Sequence, residues 1–112
     1  MQTRTVEDLL NQTYDPNPRV RKQAARDLCP CQIKMDDPKV WNRVFELTSD
    51  RDSSVRKIAF HTLIDGSPKA RESEVLSSIE GLHNDPDLKL RRAVRRVLAR
   101  YRATGKINHH HT

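Results

Sequence analysis

Apolar residues recur along this chain three and four positions apart, in short blocks separated by polar and proline-containing breaks. Between positions 15 and 28, Val20, Ala24 and Leu28 stand four apart, which places them on one face of a helix. The block returns 35 residues later as Val55, Ala59 and Leu63, and 35 later again as Leu90, Val94 and Leu98. Polar positions keep the same register: Asp15, Asp50 and Asp85 coincide, as do Arg21, Arg56 and Arg91. Upstream of each aspartate lies a second periodic block. There Val6, Trp41 and Leu76 align, then Leu9, Val44 and Ile79, then Gln12, Leu47 and Leu82, with the glutamine a polar lapse in the first copy. Self-similarity at a fixed period of this length marks a repeat architecture.

The punctuation between blocks predicts two helices per copy, here called A and B. Asn17-Pro18 and Asp37-Pro38 each give a capping side chain followed by proline at the first helical position. Ser53 and Asp87 serve as caps for the later B helices, while Cys29-Pro30-Cys31 and Asp65-Gly66-Ser67-Pro68 are chain breaks. Six helices follow, at about 5–13, 18–29, 38–48, 53–64, 70–83 and 87–103. They group into three hairpin units, at about 5–31, 37–66 and 70–103, within a single domain of residues 1–106. The expected fold is an all-α solenoid of three helical hairpins. One hairpin cannot bury its apolar stripe alone, whereas three stacked hairpins share a continuous core. Ala25, Phe60 and Arg95 are equivalent, so Phe60 is expected to pack on the third unit and Arg95 to face solvent, as in a complete three-unit stack.

Composition narrows the reading further. The 112 residues support one core, and five aromatic residues with three glycines disfavour a β-sandwich. No apolar run approaches the roughly 18 residues that span a membrane, and the opening MQTRTVEDLLNQ is no signal segment. The chain is therefore expected in the cytoplasm, away from membranes. Net charge is uneven: Met1–Asp87 holds 13 Lys/Arg against 15 Asp/Glu, whereas Leu88–Thr112 holds 8 Lys/Arg and no acid. The whole excess of +6 thus sits in the last segment, which suits an acidic partner.

An aspartate followed five residues later by Val or Leu and then Arg, at the head of the second helix, resembles the HEAT-repeat signature. It is met by Asp15/Val20/Arg21, Asp50/Val55/Arg56 and Asp85/Leu90/Arg91, and the resemblance spans about residues 5 to 103. The proline common inside the family's helix A is absent, its positions being Glu7, Asn42 and Ser77, as in the shorter bacterial and archaeal HEAT-like repeats. The resemblance implies an α-solenoid used as a binding scaffold. It also implies that Asp15, Arg21, Asp50, Arg56, Asp85 and Arg91 form a structural ladder between units, a role that suits the rigid guanidinium fork.

A second set of columns carries the candidate binding chemistry. Lys22, Lys57 and Arg92 align; so do Arg26, His61 and Arg96, and so do Arg19, Ser54 and Lys89. Eight of these nine positions are Lys, Arg or His, more than the chain's 21 Lys/Arg and 5 His among 112 residues give by chance. Residues four apart share a helix face, so stacking sets the columns side by side as a basic stripe, on helices that usually line the concave surface of a solenoid. The alternative is that they are ordinary solvent-facing helix formers. The last helix extends the stripe: Arg91, Arg92, Arg95, Arg96, Arg100, Arg102 and Lys106 wrap it, leaving Leu90, Val94, Val97, Leu98 and Tyr101 inward. The partner-binding residues are expected to be Lys22, Arg26, Lys57, His61, Arg92, Arg96 and Arg100. An acidic protein or peptide is the first expectation and a nucleic-acid backbone the second, since exposed aromatics for base stacking are scarce.

Other motifs are weaker. Cys29 and Cys31 lack the second ligand pair that zinc needs, and Cys29 aligns with Ile64 and Ala99 as a core residue, leaving Cys31 the more reactive. His109-His110-His111 lies in a segment, 107–112, read as a disordered tail or tag remnant. Trp41 reads as core, and Asp36-Asp37 and Glu72/Glu74 as acids complementing helix starts. No phosphate loop, catalytic triad or metal motif is present, so neither catalysis nor a cofactor is expected. A third reading, from relatives of this resemblance, is a bilin-lyase-like or DNA-glycosylase-like enzyme, which would need a deep cleft.

Overall fold

The computed structural model describes residues 5–28 and 37–107. The Cys29-Pro30-Cys31 break, the core role of Cys29, Asp36 and His109–His111 lie outside the described residues. Within them the elements are α1 (Val6–Gln12), α2 (Pro18–Asp27), α3 (Pro38–Leu47), α4 (Ser53–Gly66), a 3-10 turn (Lys69–Arg71), α5 (Glu72–Glu80) and α6 (Leu88–Thr104). No strand occurs among the described residues. α1, α3 and α5 are the A helices, and α2, α4 and α6 the B helices. The fold is an all-α helical-repeat solenoid, with principal extents of 46 × 29 × 20 Å.

Capping sets where the helices start. Thr5 and Asp8 form a reciprocal capping box at α1, each side chain accepting the other's backbone N–H at 3.1 Å. Asn17 and Asp37 accept from Arg19 N–H and Lys39 N–H at 2.9 Å, each followed by proline in the first turn. At α4 the cap is Asp52, one residue before the expected Ser53, because its carboxylate reaches Ser54 N–H at 2.9 Å. Asp87 caps α6 through Leu90 N–H.

Two further boundaries differ from the sequence pattern. α4 continues through Gly66, so the chain breaks at Ser67-Pro68 alone; the residue before proline is held extended, and Ser67 has ψ 144°. The helix expected over 70–83 is a 3-10 turn followed by the shorter α5. At the other end, Gly105 adopts the left-handed conformation (φ 70°) and stops α6. Ile107, one position past the expected boundary at residue 106, is buried in the core at 4% exposure.

One continuous core runs through all three units. Trp41 and Leu28, Leu63, Leu47, Ile79 and Leu90 are among its most deeply buried side chains. Burial also separates the faces of each unit. Ala24, Ala59 and Val94 are sealed in every unit, whereas Val20 is half-buried and its equivalents Val55 and Leu90 are sealed. Val20 therefore lies on the open first face of the stack. Polar residues cap that face: Gln23 and Asp27 stand where Ile58 and Thr62 stand in the middle unit. On the last face, exposed Arg95 stands where Ala25 and Phe60 are buried.

The two junctions between B helices differ. α2 and α4 approach each other at more points than α4 and α6 do. The equivalent residues Ala25 and Phe60 are both buried, at 4% exposure.

Candidate functional site

The B-helix heads join neighbouring units through arginine–aspartate forks. Arg21 donates from Nε and Nη2 to the two carboxylate oxygens of Asp50, both at 3.0 Å. Arg56 does the same to Asp85, at 2.8 and 3.0 Å. These pairs are largely buried: side-chain exposure is 5% and 10% for the first, 12% and 5% for the second. Burial removes the water that would screen them, and the bidentate geometry fixes how one unit sits on the next. The structure thus brings together Arg21 with Asp50 and Arg56 with Asp85. Asp15 and Arg91, at the two ends, meet no oppositely charged side chain among the described residues.

The A-helix side has ties that the repeat alignment missed. Arg43 donates to Thr13 Oγ1 at 2.8 Å and to the Thr13 carbonyl at 2.9 Å, with its guanidinium 3.6 Å above the Tyr14 ring. Arg71 donates to Asn42 Oδ1 at 2.6 Å and lies over Phe45. Neither arginine repeats at the 35-residue period, since Arg43 aligns with Asp8 and Ser78, so periodicity alone gave no signal for them.

The basic columns lie on the solvent side of the B helices. Arg26, His61, Arg92, Arg96 and Arg100 are exposed, as are Arg19 and Lys89. Lys22, Lys57 and Ser54 are partly buried. Lys57 is not a free cation: its Nζ lies 3.2 Å from Asp87, the cap of the next B helix. Ser54 donates its hydroxyl to Asp52. None of the other six proposed partner-binding residues is ion-paired among the described residues.

The two cap carboxylates are tuned by these contacts. Asp52 is held below its ordinary value of 3.8, first by the Ser54 hydroxyl, then by the backbone N–H groups of Ser54 and Val55 and the charge of Arg21. Asp87 is held below 3.8 first by Leu90 N–H, then by Lys57. A carboxyl whose pKa is depressed on folding stabilises the fold above its unfolded value and loses that contribution as pH falls through the folded one. The melting temperature is accordingly expected to hold at neutral pH and to decline below about pH 4. A Asp52→Asn/Asp87→Asn chain should show a shallower acid limb in the same circular dichroism melts; an unchanged limb would remove these caps as its cause.

Two cavities are lined by none of the seven proposed partner-binding residues. One, of about 520 Å³, is lined by Ser67, Pro68, Lys69 and Glu72 and by the turn from Thr104 to Ile107. Another, of about 250 Å³, lies between the α1–α2 and α3–α4 loops, lined by Tyr14, Asp15, Arg43, Asp50 and Arg51. Among the described residues no group of three or more His, Cys, Asp or Glu side chains is placed to hold a metal. No helix there is long and apolar enough to cross a membrane.

Stacked hairpins, a shared core and forks between units define an α-solenoid built as a scaffold. The family model described as HEAT repeats matches residues 6–99, and the chain belongs to that family. Such repeats generally serve as non-catalytic scaffolds for protein interaction. No curated protein and no solved structure matches the chain.

Proposed function

We propose that the chain is a non-catalytic interaction scaffold that binds an acidic protein segment along the B-helix stripe of Lys22, Arg26, Lys57, His61, Arg92, Arg96 and Arg100. The observation that carries this reading is the unneutralised charge of α6. Leu88–Thr104 contains no acid, and Arg92, Arg96 and Arg100 are exposed without an ion-pair partner among the described residues. A row of like charges on one rigid helix keeps its field in solution and attracts an opposite charge without rearrangement. Lys57, tied to Asp87, contributes more to joining units than to the partner.

The runner-up is a nucleic-acid backbone on the same surface, supported by the same arginines. An enzyme related to bilin lyases or DNA glycosylases is less well supported, because neither cavity described above is lined by any of the seven stripe residues.

The test uses Arg96→Glu/Arg100→Glu, which leaves the forks and Lys57 intact. Fluorescence anisotropy with a labelled Glu/Asp-rich peptide should show binding that weakens about tenfold, or about 1.4 kcal/mol, in the variant. Equal binding by both chains would move the site elsewhere. Duplex and single-stranded DNA, titrated at about 50 and 200 mM salt, decide the second reading: backbone binding falls steeply with salt, and no binding at the lower salt eliminates it.

A further inference from the structure

The ladder between units has two closed rungs and two open ends, and the open ends match each other. Each arginine is anchored alike. Nη1 of Arg21, Arg56 and Arg91 donates to the main-chain oxygen of its own unit's aspartate: Asp15 at 2.8 Å, Asp50 at 2.9 Å and Asp85 at 3.1 Å. In the first two, that anchor leaves Nε and Nη2 aimed at the next unit, where Asp50 and Asp85 fill the fork. Arg91 keeps the anchor, but among the described residues no carboxylate reaches its fork.

The aspartates are oriented alike as well. Asp50 Oδ1 accepts Asp52 N–H and Asp85 Oδ1 accepts Asp87 N–H, both at 2.9 Å. Asp15 Oδ1 accepts Asn17 N–H at 2.8 Å, so its carboxylate is turned as the other two are. No guanidinium reaches it among the described residues. Both halves of a third rung are therefore present in one chain, held in the paired geometry at opposite ends of the stack.

The repeat fixes what fits between them. Donor and acceptor are 29 residues apart in both closed rungs. The same step from Arg91, counted through three 35-residue repeats, falls on position 15 of a following copy. We infer that a second copy of this chain fills the fork: Arg91 of one copy takes the Asp15 carboxylate of the next, and chains associate head to tail. The charges of the two faces agree. The first face presents Asp15, and the last presents Arg91, Arg92 and Arg95. Any other acidic segment would have to order its carboxylate on binding, whereas Asp15 is already placed.

This junction differs from those inside the fold. Arg95 and Gln23 replace the buried Phe60 and half-buried Ile58, so apolar burial contributes little. The contact rests on charge, and it is reversible and salt-sensitive. Being heterologous, it propagates instead of closing as a two-fold dimer.

Sedimentation of the full chain provides the test. At about 0.1 M salt the weight-average mass should rise with concentration, and at about 1 M, where the screening length falls to about 3 Å, it should return to that of the monomer. Arg91→Glu alone and Asp15→Lys alone should stay monomeric. Arg91→Gln and Asp15→Asn, mixed in equal amounts, retain one intact Arg91 and one intact Asp15 and create no swapped charge pair, so that mixture should form a heterodimer and nothing larger. Thermal midpoints by circular dichroism verify folding, with Arg91→Gln and Asp15→Asn used if a reversed charge unfolds the chain. A wild-type chain that stays monomeric at about 0.1 M salt overturns the inference. So does association that survives both variants, or a mixture that forms no dimer.

Discussion

Replacing Arg56 with alanine lowers the unfolding free energy by about 3–5 kcal/mol, the cost of leaving a buried charge without its partner. Asp85 would keep one hydrogen bond, from Asp87 N–H, on a side chain only 5% exposed. For a domain of this size the loss is a large share of the total, and it lowers the melting temperature by about 10 °C or more. A conservative variant separates loss of the fork from loss of charge. Arg56→Lys, which keeps the charge but loses the fork, should fall between the two. Urea denaturation of the three chains at neutral pH measures this. Full stability in Arg56→Ala would mean that the fork does not hold the units together.

The position of Arg56 shows how much of this architecture the sequence carried. The 35-residue period aligns Asp15, Asp50 and Asp85 with no gap, and helical spacing identifies the buried positions beside them. Fold class and family follow from that alignment, because a packed solenoid repeats its constraints. Helix ends were less legible. Asp52 and Ser53 are adjacent and both can cap, and only the backbone decides which oxygen meets an N–H. Ile107 had no repeat partner to place it, and its burial depends on a left-handed turn at Gly105.

The surface was legible by the same logic, but only to the extent that it repeats. Aligned columns pointed to Lys22, Lys57 and Arg92, yet three-dimensional geometry separates them: Lys57 bridges to Asp87, while Arg92 is open. Alignment registers residue type and not the partner 30 residues ahead. Arg43 and Arg71 escaped notice because each occurs in one unit only, although both bind across a unit boundary. Periodic constraints are visible in a single sequence; contacts made once are not.

That distinction carries through to the column of Ala25, Phe60 and Arg95, where the three units differ in size and polarity, the first two buried and Arg95 exposed. Phe60→Ala is expected to cost about 3–5 kcal/mol, because the ring is buried and its removal leaves a cavity in the core. The damage should be local. In a stack with nearest-neighbour contacts, a weakened junction frees the unit beyond it before the rest. The polar ties Arg56–Asp85, Lys57–Asp87 and Arg71–Asn42 would remain to hold the third unit. Hydrogen exchange should show the amides of α5 and α6 losing protection, with α1 and α2 closer to their parent values. Trp41, the sole tryptophan, sits in the middle unit, so its fluorescence transition should separate from the unfolding of α5 and α6. Equal loss of protection in all helices would instead mean that the three units unfold as one body, and that the Phe60 junction is no weaker a link than the others.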